Sequence, residues 1–591
     1  MTTKHLSGYY SDGYTLAAGY RKLVIDKTAD VRSDLTDGVT VPFSATVVNH
    51  GVVYGGNQGV YLKGGGSLIN GSAKNTSALI TGGYGGVTAL APAAIANFGS
   101  IDGGFIDGVG VSLGAGGSIT NGAGNDTTAS IFGYFGVDAL AVATVTNFGT
   151  IAAMAYYQGS AGVFLAAGGS VANGSASDTT ALIRAAGYQT GIVADAAATV
   201  ENFGTIEAGL YDVAAVALSG GLLTNGATHN STALIYGAYG VRASGAPTTI
   251  VNFGTIEGGG YGISVALSGA GDEVIAEAGS TFIGTIEGGG GALALAGGGT
   301  GTIVSLGDGG ALFGAVQARF MHFDTYVIEA GGSWTLDVSN EVNPAADLID
   351  QGTLINTAFL TIAGTVSVAA DAVFSLANGD ISAGPKGAGR IEDDGLTIKN
   401  LGAGETAIAA HMYDGGVVEV ATGSLDFASR LDGAGVLKID PGATLEADAG
   451  AVSTLTVTFD GAAATLALAS PKAFGATLVG FATGDVIDLL DLTATGASVN
   501  GDDQLVVVDG GKTVATLQLS GNYVGATFVT SSDGHGGTDV VVQNVSGPAA
   551  PVHAFIEAMA GFGSRVGQTF HADMAAPVGQ CLLTSPRVAI A

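Results

Sequence analysis

Apolar residues in this chain come in runs of 3 to 6, rich in Val, Ile, Leu and Ala and flanked by Gly, Asn, Ser and Thr. No segment between residues 41 and 270 sustains the 3.6-residue period of an amphipathic helix. Further on, Val417-Val418-Glu419-Val420 and Val436-Leu437-Lys438-Ile439-Asp440 alternate apolar and polar positions, the period-two pattern of half-buried strands. The pattern predicts many short strands separated by tight turns.

One polar residue interrupts the apolar runs at a regular interval. Asn49, Asn70, Asn97, Asn121, Asn147, Asn173, Asn202, Asn225 and Asn252 lie 21 to 29 residues apart in similar local text. A period of that size marks a solenoid, in which each copy is one coil that cannot bury its apolar side alone. Four of the nine read Asn-Phe-Gly (Asn97, Asn147, Asn202 and Asn252), and between them fall four that read Asn-Gly (Asn70, Asn121, Asn173 and Asn225). The unit of about 50 residues is therefore two coils. An aromatic column runs in step: Tyr54, Tyr84, Phe105, Tyr134, Tyr157, Tyr188, Tyr211, Tyr239 and Tyr261, in most coils just ahead of a Gly-Val or Gly-Ile step.

These features predict an all-β chain wound as a right-handed parallel β-helix (a β-solenoid), less regular towards the C-terminus and ending in a short helical or disordered tail. Coils stacked at about 4.8 Å make nine of them span about 40 Å. The asparagines are expected to form a ladder, each in a turn with positive φ and bonded to its neighbours along the axis. Phe alternating with Gly suggests a ring packed over a neighbour with no side chain. Five segments follow: 1–40 as an N-terminal cap, 41–270 as regular repeats, 271–480 as a less regular continuation, 481–545 as a C-terminal strand region, and 546–591 as a tail with a short amphipathic helix over 552–562. The single tryptophan, Trp334, is expected in the core or as a coil-edge plug.

Composition narrows the function. Gly is 101 of 591 residues with no strict triplet, which excludes collagen, and 47% hydrophobic residues exclude a disordered chain. The formal charge of −31 argues against nucleic acid and anionic lipid as partners. The single Cys581 allows no internal disulfide. The N-terminus lacks the apolar core of a secretory signal, and no apolar stretch is long enough for a transmembrane helix.

Chemistry-bearing motifs are sparse. The eight histidines do not pair at metal-ligand spacing, and no catalytic motif is found, so the chain reads as non-enzymatic. Calcium has three weak candidates. Asp272 lies in text resembling one degenerate calcium-binding nonapeptide, and Asp485 and Asp488 lie close together further on. Polar inserts (72–77, 123–128, 175–180 and 227–232) recur beside Tyr84, Tyr134, Tyr188 and Tyr239. This polar and aromatic stripe is a candidate surface for holding a glycan weakly at many points. Solvated loops and ring-on-glycine turns account for the same text.

The Asn-Phe-Gly-Thr-Ile and Gly-Gly-Ser-Val-x-Asn-Gly repeats resemble the passenger-type (autotransporter-like) β-helix repeats of bacterial surface proteins. Residues 481–489, FATGDVIDL, are similar to the C-terminal text of type I secreted proteins, including serralysin-type proteases. The resemblance implies a protein of the extracellular space or cell surface of a Gram-negative bacterium, exported without a classical signal peptide. Its partners would be glycans or cell-surface and matrix components. Two features depart from these groups: no membrane barrel ends the chain, and calcium nonapeptide arrays are missing. The expected role is a structural or adhesin-like rod, with a polysaccharide-binding or polysaccharide-degrading β-helix and an autotransporter passenger as the alternatives.

Overall fold

The structure, a computed structural model, describes residues 2–104, 107–124, 128–154, 159–307 and 309–544. Phe105 and Tyr157 of the aromatic column, part of the second polar insert, Cys581 and the helix expected over 552–562 lie outside these residues. The fold is a β-solenoid of about 21 turns, with 56% strand against 1% helix, which excludes helical repeats.

One coil shows why the sequence winds this way. Strand Ala93–Asn97 turns at Phe98-Gly99 into Ser100–Asp102, the chain then enters Val109–Leu113, and a turn returns it to Gly117–Asn121. Each strand pairs in parallel with its counterpart one coil on: Ile95 with Ile119, Ile101 with Ile131, Val111 with Val137. All six of these side chains are buried, and each fully buried Val or Ile contributes about 1.5–3 kcal/mol of transfer free energy. The interior is narrow. A Cβ on Gly110 would stand 2.5 Å from the Gly136 carbonyl and 2.7 Å from a methyl of Ile131. The glycine after the aromatic column is thus where the facing isoleucine needs the room.

Strands ending at the asparagine positions form one 19-stranded sheet, and the other coil faces form a 35-stranded sheet. From Asn340 onward a third, 10-stranded sheet supplies a third face. The winding runs through residue 270 without a break, since Asn252 pairs with Ala276 and Ala276 with Leu295. Antiparallel strands interrupt it at Thr300–Val304, Gly310–Gly314 and Gln317–Met321. Trp334 is fully buried in the core. At the C-terminal end, Gly496–Val499, Gln504–Asp509 and Lys512–Ser520 form an antiparallel meander, and the hairpin Thr527–Ser532 with Thr538–Gln543 pairs onto Val486–Leu489. These strands cover the sheet edges that a bare solenoid end would expose.

The nine asparagines stack as a single column. Each of the eight steps from Asn49 to Asn252 is an Nδ2–H···Oδ1 bond of 2.8 or 2.9 Å. The side chains are fully buried. Nδ2 also donates to backbone carbonyls, as Asn147 does to Gly149 and Leu182, and Oδ1 of Asn147 accepts from the Gly149 N–H. The expectation of positive φ at these asparagines is corrected: none has it, because the amide is held inward from a strand end. In the Asn-Gly coils the next residue takes the left-handed turn, as Gly122 does with φ 82°. At Gly226 a Cβ would meet the Asn230 carbonyl at 2.4 Å and the Phe253 Cβ at 3.2 Å, so its positive φ and the close carbonyl both favour glycine there.

Candidate functional site

Of the aromatic column, Tyr84, Tyr134, Tyr188 and Tyr211 lie between two strands of the long sheet within one coil, and Tyr54, Tyr239 and Tyr261 lie within strands of that sheet. The Gly steps behind it face the core, so the rings are turned to solvent. Tyr84, Tyr188, Tyr211 and Tyr261 are all exposed, Tyr84 by 66%. The coils bring the rings into pairs. Tyr188 stacks on Tyr211 with centroids 4.9 Å apart, and Tyr239 on Tyr261 at 5.0 Å. Tyr134 meets Phe135 edge-on at 5.1 Å, and Phe135 lies 5.7 Å from Phe164. Such contacts add about 0.5–1.5 kcal/mol each beyond burial. The sequence set Tyr84, Tyr134, Tyr188 and Tyr239 beside the polar inserts and Tyr211 and Tyr261 in the same column, but it did not show that Tyr188 pairs with Tyr211, Tyr239 with Tyr261, or Tyr134 with Phe135.

Between the Phe135–Phe164 and Tyr188–Tyr211 groups runs an open groove of about 380 Å³, with Ser160, Thr190 and Asp212 among its lining residues. A second hollow, of about 500 Å³, is lined by Asp102, Phe132, Met154 and Arg184 among others. Of the polar inserts, 72–77, 175–180 and 227–232 form tight turns closed by Ser72–Asn75, Ser175–Asp178 and Ala227–Asn230 bridges. Asn75 and Asn230 donate to backbone carbonyls of the preceding coil, His50 and Phe203.

The calcium candidates are separated by the fold. Asp272 is buried, and its carboxylate accepts N–H bonds from Thr248, Ser268 and Gly269 at 2.8, 3.0 and 3.0 Å. Asp485 is likewise buried on the N–H groups of Ala464 and Ala482. Burial raises its pKa despite those bonds. Asp488 points outward from the third sheet opposite Asp539. Its pKa is raised by burial, then by Asp539 and Asp533. Asp426 and Glu446 lie on the same outward row, and with Asp448 just past the strand they bring one carboxylate oxygen each within 4.8 Å of one another. Burial first, then Asp448 and Glu446, push Asp426 up to about 7. Three carboxylates on a flat sheet face supply only part of the roughly six to eight oxygens that calcium takes.

A buried carboxyl column also escaped the sequence reading. Continuing the asparagine position coil by coil gives Ala276, Leu295, Ile328, Asp350, Val368, Asp393 and Asp414. All three aspartates are fully buried. Each accepts the N–H of the glycine two residues on, Gly352, Gly395 or Gly416, at 2.9 or 3.0 Å. Burial above all pushes Asp350 and Asp393 up to about 6. Asp414 is pushed up to about 7 by burial and by Asp393 beside it. The Asp-x-Gly text at these three positions is the acidic counterpart of Asn-Phe-Gly and was the available signal.

Among the described residues no helix is long and apolar enough to cross a membrane. The chain matches no protein-family model and no curated protein.

Proposed function

We propose that this protein is a secreted or cell-surface β-solenoid of a Gram-negative bacterium, acting as a non-enzymatic adhesin, matrix or structural rod through many weak contacts with glycans or surface components. The observation that carries the reading is the set of outward aromatic rings that recur from coil to coil on a continuously wound support. Weak sites at fixed spacing on a rod gain avidity from simultaneous engagement of a repetitive ligand, with no single strong pocket. The acidic, self-repelling surface suits a protein that stays dispersed while doing so.

The test is binding of the intact chain to glycan surfaces of graded density. Multivalent contact predicts retention that rises steeply with density and is lost on sparse surfaces. Retention independent of density would reject it. Incubation with uronic-acid polymers supplies the contrast, since product formation would assign the chain to polysaccharide degradation instead. Finding the untrimmed chain in culture medium supports secretion, whereas co-fractionation with the outer membrane supports an autotransporter passenger.

A further inference from the structure

We propose that the groove between the Phe135–Phe164 and Tyr188–Tyr211 groups binds the ammonium group of an amine-bearing glycan. The inference rests on the rod reading above and specifies the chemistry of its ligand.

The molecule already places cations on its own aromatic rings. Arg242 lies 3.8 Å from the ring centroid of Tyr239, Lys63 lies 4.8 Å from Tyr61, Arg21 5.1 Å from Phe43 and Arg32 5.9 Å from Tyr54. In a chain with 19 basic residues against 50 acidic ones, this repeated use of the ring faces is a local preference for cation–π contact. Arg242 reaches Tyr239 from an outward row of the long sheet. Followed back coil by coil, that row reads Ala217, Val193, Phe164 and Asp138. Beside the Tyr188–Tyr211 pair the row therefore carries small or apolar side chains where the next aromatic pair has its guanidinium.

The groove at this place is acidic. Asp212 lines it, and among the described residues no basic one does. Asp138 stands across from Phe164 in the preceding coil, outside the groove's lining, and its buried Oδ1 has no hydrogen-bond partner among the described residues. Ser160, also lining the groove, is 4% exposed and its hydroxyl is equally unpartnered. Buried polar groups without partners are uncommon and call for an explanation, and a ligand rich in donors supplies one. The whole-chain charge of −31 concentrates cations near such a groove and repels polyuronates. A sugar bearing an amine meets all of these conditions, with its C–H face on a tyrosine ring and its ammonium near Asp212.

The experiment is calorimetric titration of the full chain with a glucosamine hexamer, its fully N-acetylated counterpart and an oligogalacturonate. It is run at mildly acidic pH and in enough salt to screen diffuse attraction. The free-amine hexamer is expected to bind at least about tenfold more tightly than the acetylated one, since acetylation removes the charge. Tyr211→Ala and Asp212→Asn should each weaken it about tenfold or more, while Asp371→Asn elsewhere on the rod leaves it unchanged. Tyr211 is 59% exposed, and asparagine tolerates the left-handed φ of 56° at Asp212, so both variants retain the fold. Equal binding of the amine and acetylated forms, or wild-type binding by both groove variants, overturns the assignment. Binding of the acetylated or acidic oligomer but not the amine form overturns it while leaving the rod reading intact. Binding of none of the three, together with no retention on any glycan surface, removes both.

Discussion

Two stretches of one column solve the same problem with different chemistry. From Asn49 to Asn252 each coil places an amide inside the turn, and from Asp350 to Asp414 three coils place a carboxyl group there. The backbone surroundings match in the Asn-Phe-Gly coils: a glycine follows two residues later, and its N–H faces the side chain in both Asn147 and Asp393. The amide both donates and accepts, so copies stack head to tail and each step satisfies two groups. An ionised carboxylate only accepts, so neighbouring copies cannot bond to each other. Asp393 and Asp414 stand in adjacent coils, and Asp393 adds to the burial that holds the charge off Asp414. The amide column is indifferent to pH, whereas the carboxyl column is a proton-dependent joint in the same rod.

The largest expected effect comes from putting the second chemistry into the first region. Asn147→Asp replaces a donor facing Asn173 Oδ1 at 2.8 Å and the carbonyls of Gly149 and Leu182 with an acceptor. It leaves buried acceptors unpaired around a buried charge, a loss of about 4 kcal/mol at pH 8. The introduced acid has its pKa raised in the folded state, so the loss is greatest above that pKa and shrinks as pH falls towards the unfolded value near 4. Because solenoids unfold in parts, the measurement is amide hydrogen exchange resolved by coil. A uniform, pH-independent loss would show that the ladder's hydrogen bonds are not what holds these coils.

The reverse exchange has the opposite sign. Asp414 has a folded pKa of about 7, so the folded protein binds more protons than the unfolded chain between about pH 4 and 7. Stability from this group is therefore fullest below the unfolded pKa and falls as pH rises through the folded one. Asp414→Asn removes that dependence. It should stabilise the coils from Asp350 to Gly433 by about 3 kcal/mol at pH 8, with the gain fading towards pH 4. The wild-type chain should likewise gain protection in these coils, and not around Asn147, when brought from pH 8 to 5. A variant no more stable than wild type at pH 8 would mean that Asp414 has a cation or solvent partner in solution.

This contrast also marks what could be read in advance. Coaxial winding was legible because Asn recurs nine times in similar text, and a stacked amide tolerates little else. The acidic column was not, because only three of its positions carry Asp and Val368 separates Asp350 from Asp393 in the stack. Asp-x-Gly is also ordinary surface-turn text, and only register shows that these copies point inward. The tyrosine column was visible by its spacing. Its pairing was not, because whether Tyr188 meets Tyr211 depends on loops of unequal length in adjacent coils. Asp272 and Asp485 looked like ligands because carboxylates near glycine turns suit calcium, yet backbone N–H groups claim both.

A third change asks whether the second region's acid load is managed differently outside the coil than inside. On the outer face Lys438 ion-pairs with Glu419, Asp440 and Asp460, each at 2.9 Å, and its side chain is only 17% exposed. Burial alone would lower its pKa, but the three carboxylates raise it on balance. Lys438→Met keeps the apolar stem and leaves three carboxylates without their cation, a loss of about 2 kcal/mol. The abandoned acids repel one another, so the loss should ease as pH falls and as salt rises. Denaturation at pH 8 and at pH 5, each with and without 1 M salt, measures it. A loss insensitive to both would assign the role of Lys438 to packing.

The smallest effect is expected where the two chemistries are most nearly balanced. Asp350 resembles Asp414 in burial, with a folded pKa of about 6, but both of its oxygens are used: Oδ1 accepts from the Gly352 N–H at 2.9 Å and Oδ2 from the Leu354 N–H at 3.2 Å. Asp350→Asn relieves the burial of a charge. It also turns one of those oxygens into an NH₂ group facing a backbone donor, which leaves that donor unpaired at about 1–3 kcal/mol. The neighbours in the column, Ile328 and Val368, offer no amide partner to make up the difference. The gain and the loss are of similar size, so stability at pH 8 should change by less than about 1 kcal/mol. At pH 4, where the wild-type group is protonated and the gain has vanished, the variant should be the less stable of the two. Stabilisation at both pH values, comparable to that of Asp414→Asn at pH 8, would mean that an amide suits this column wherever it is placed. The hydrogen bonds of the individual coil would then not decide which chemistry it carries.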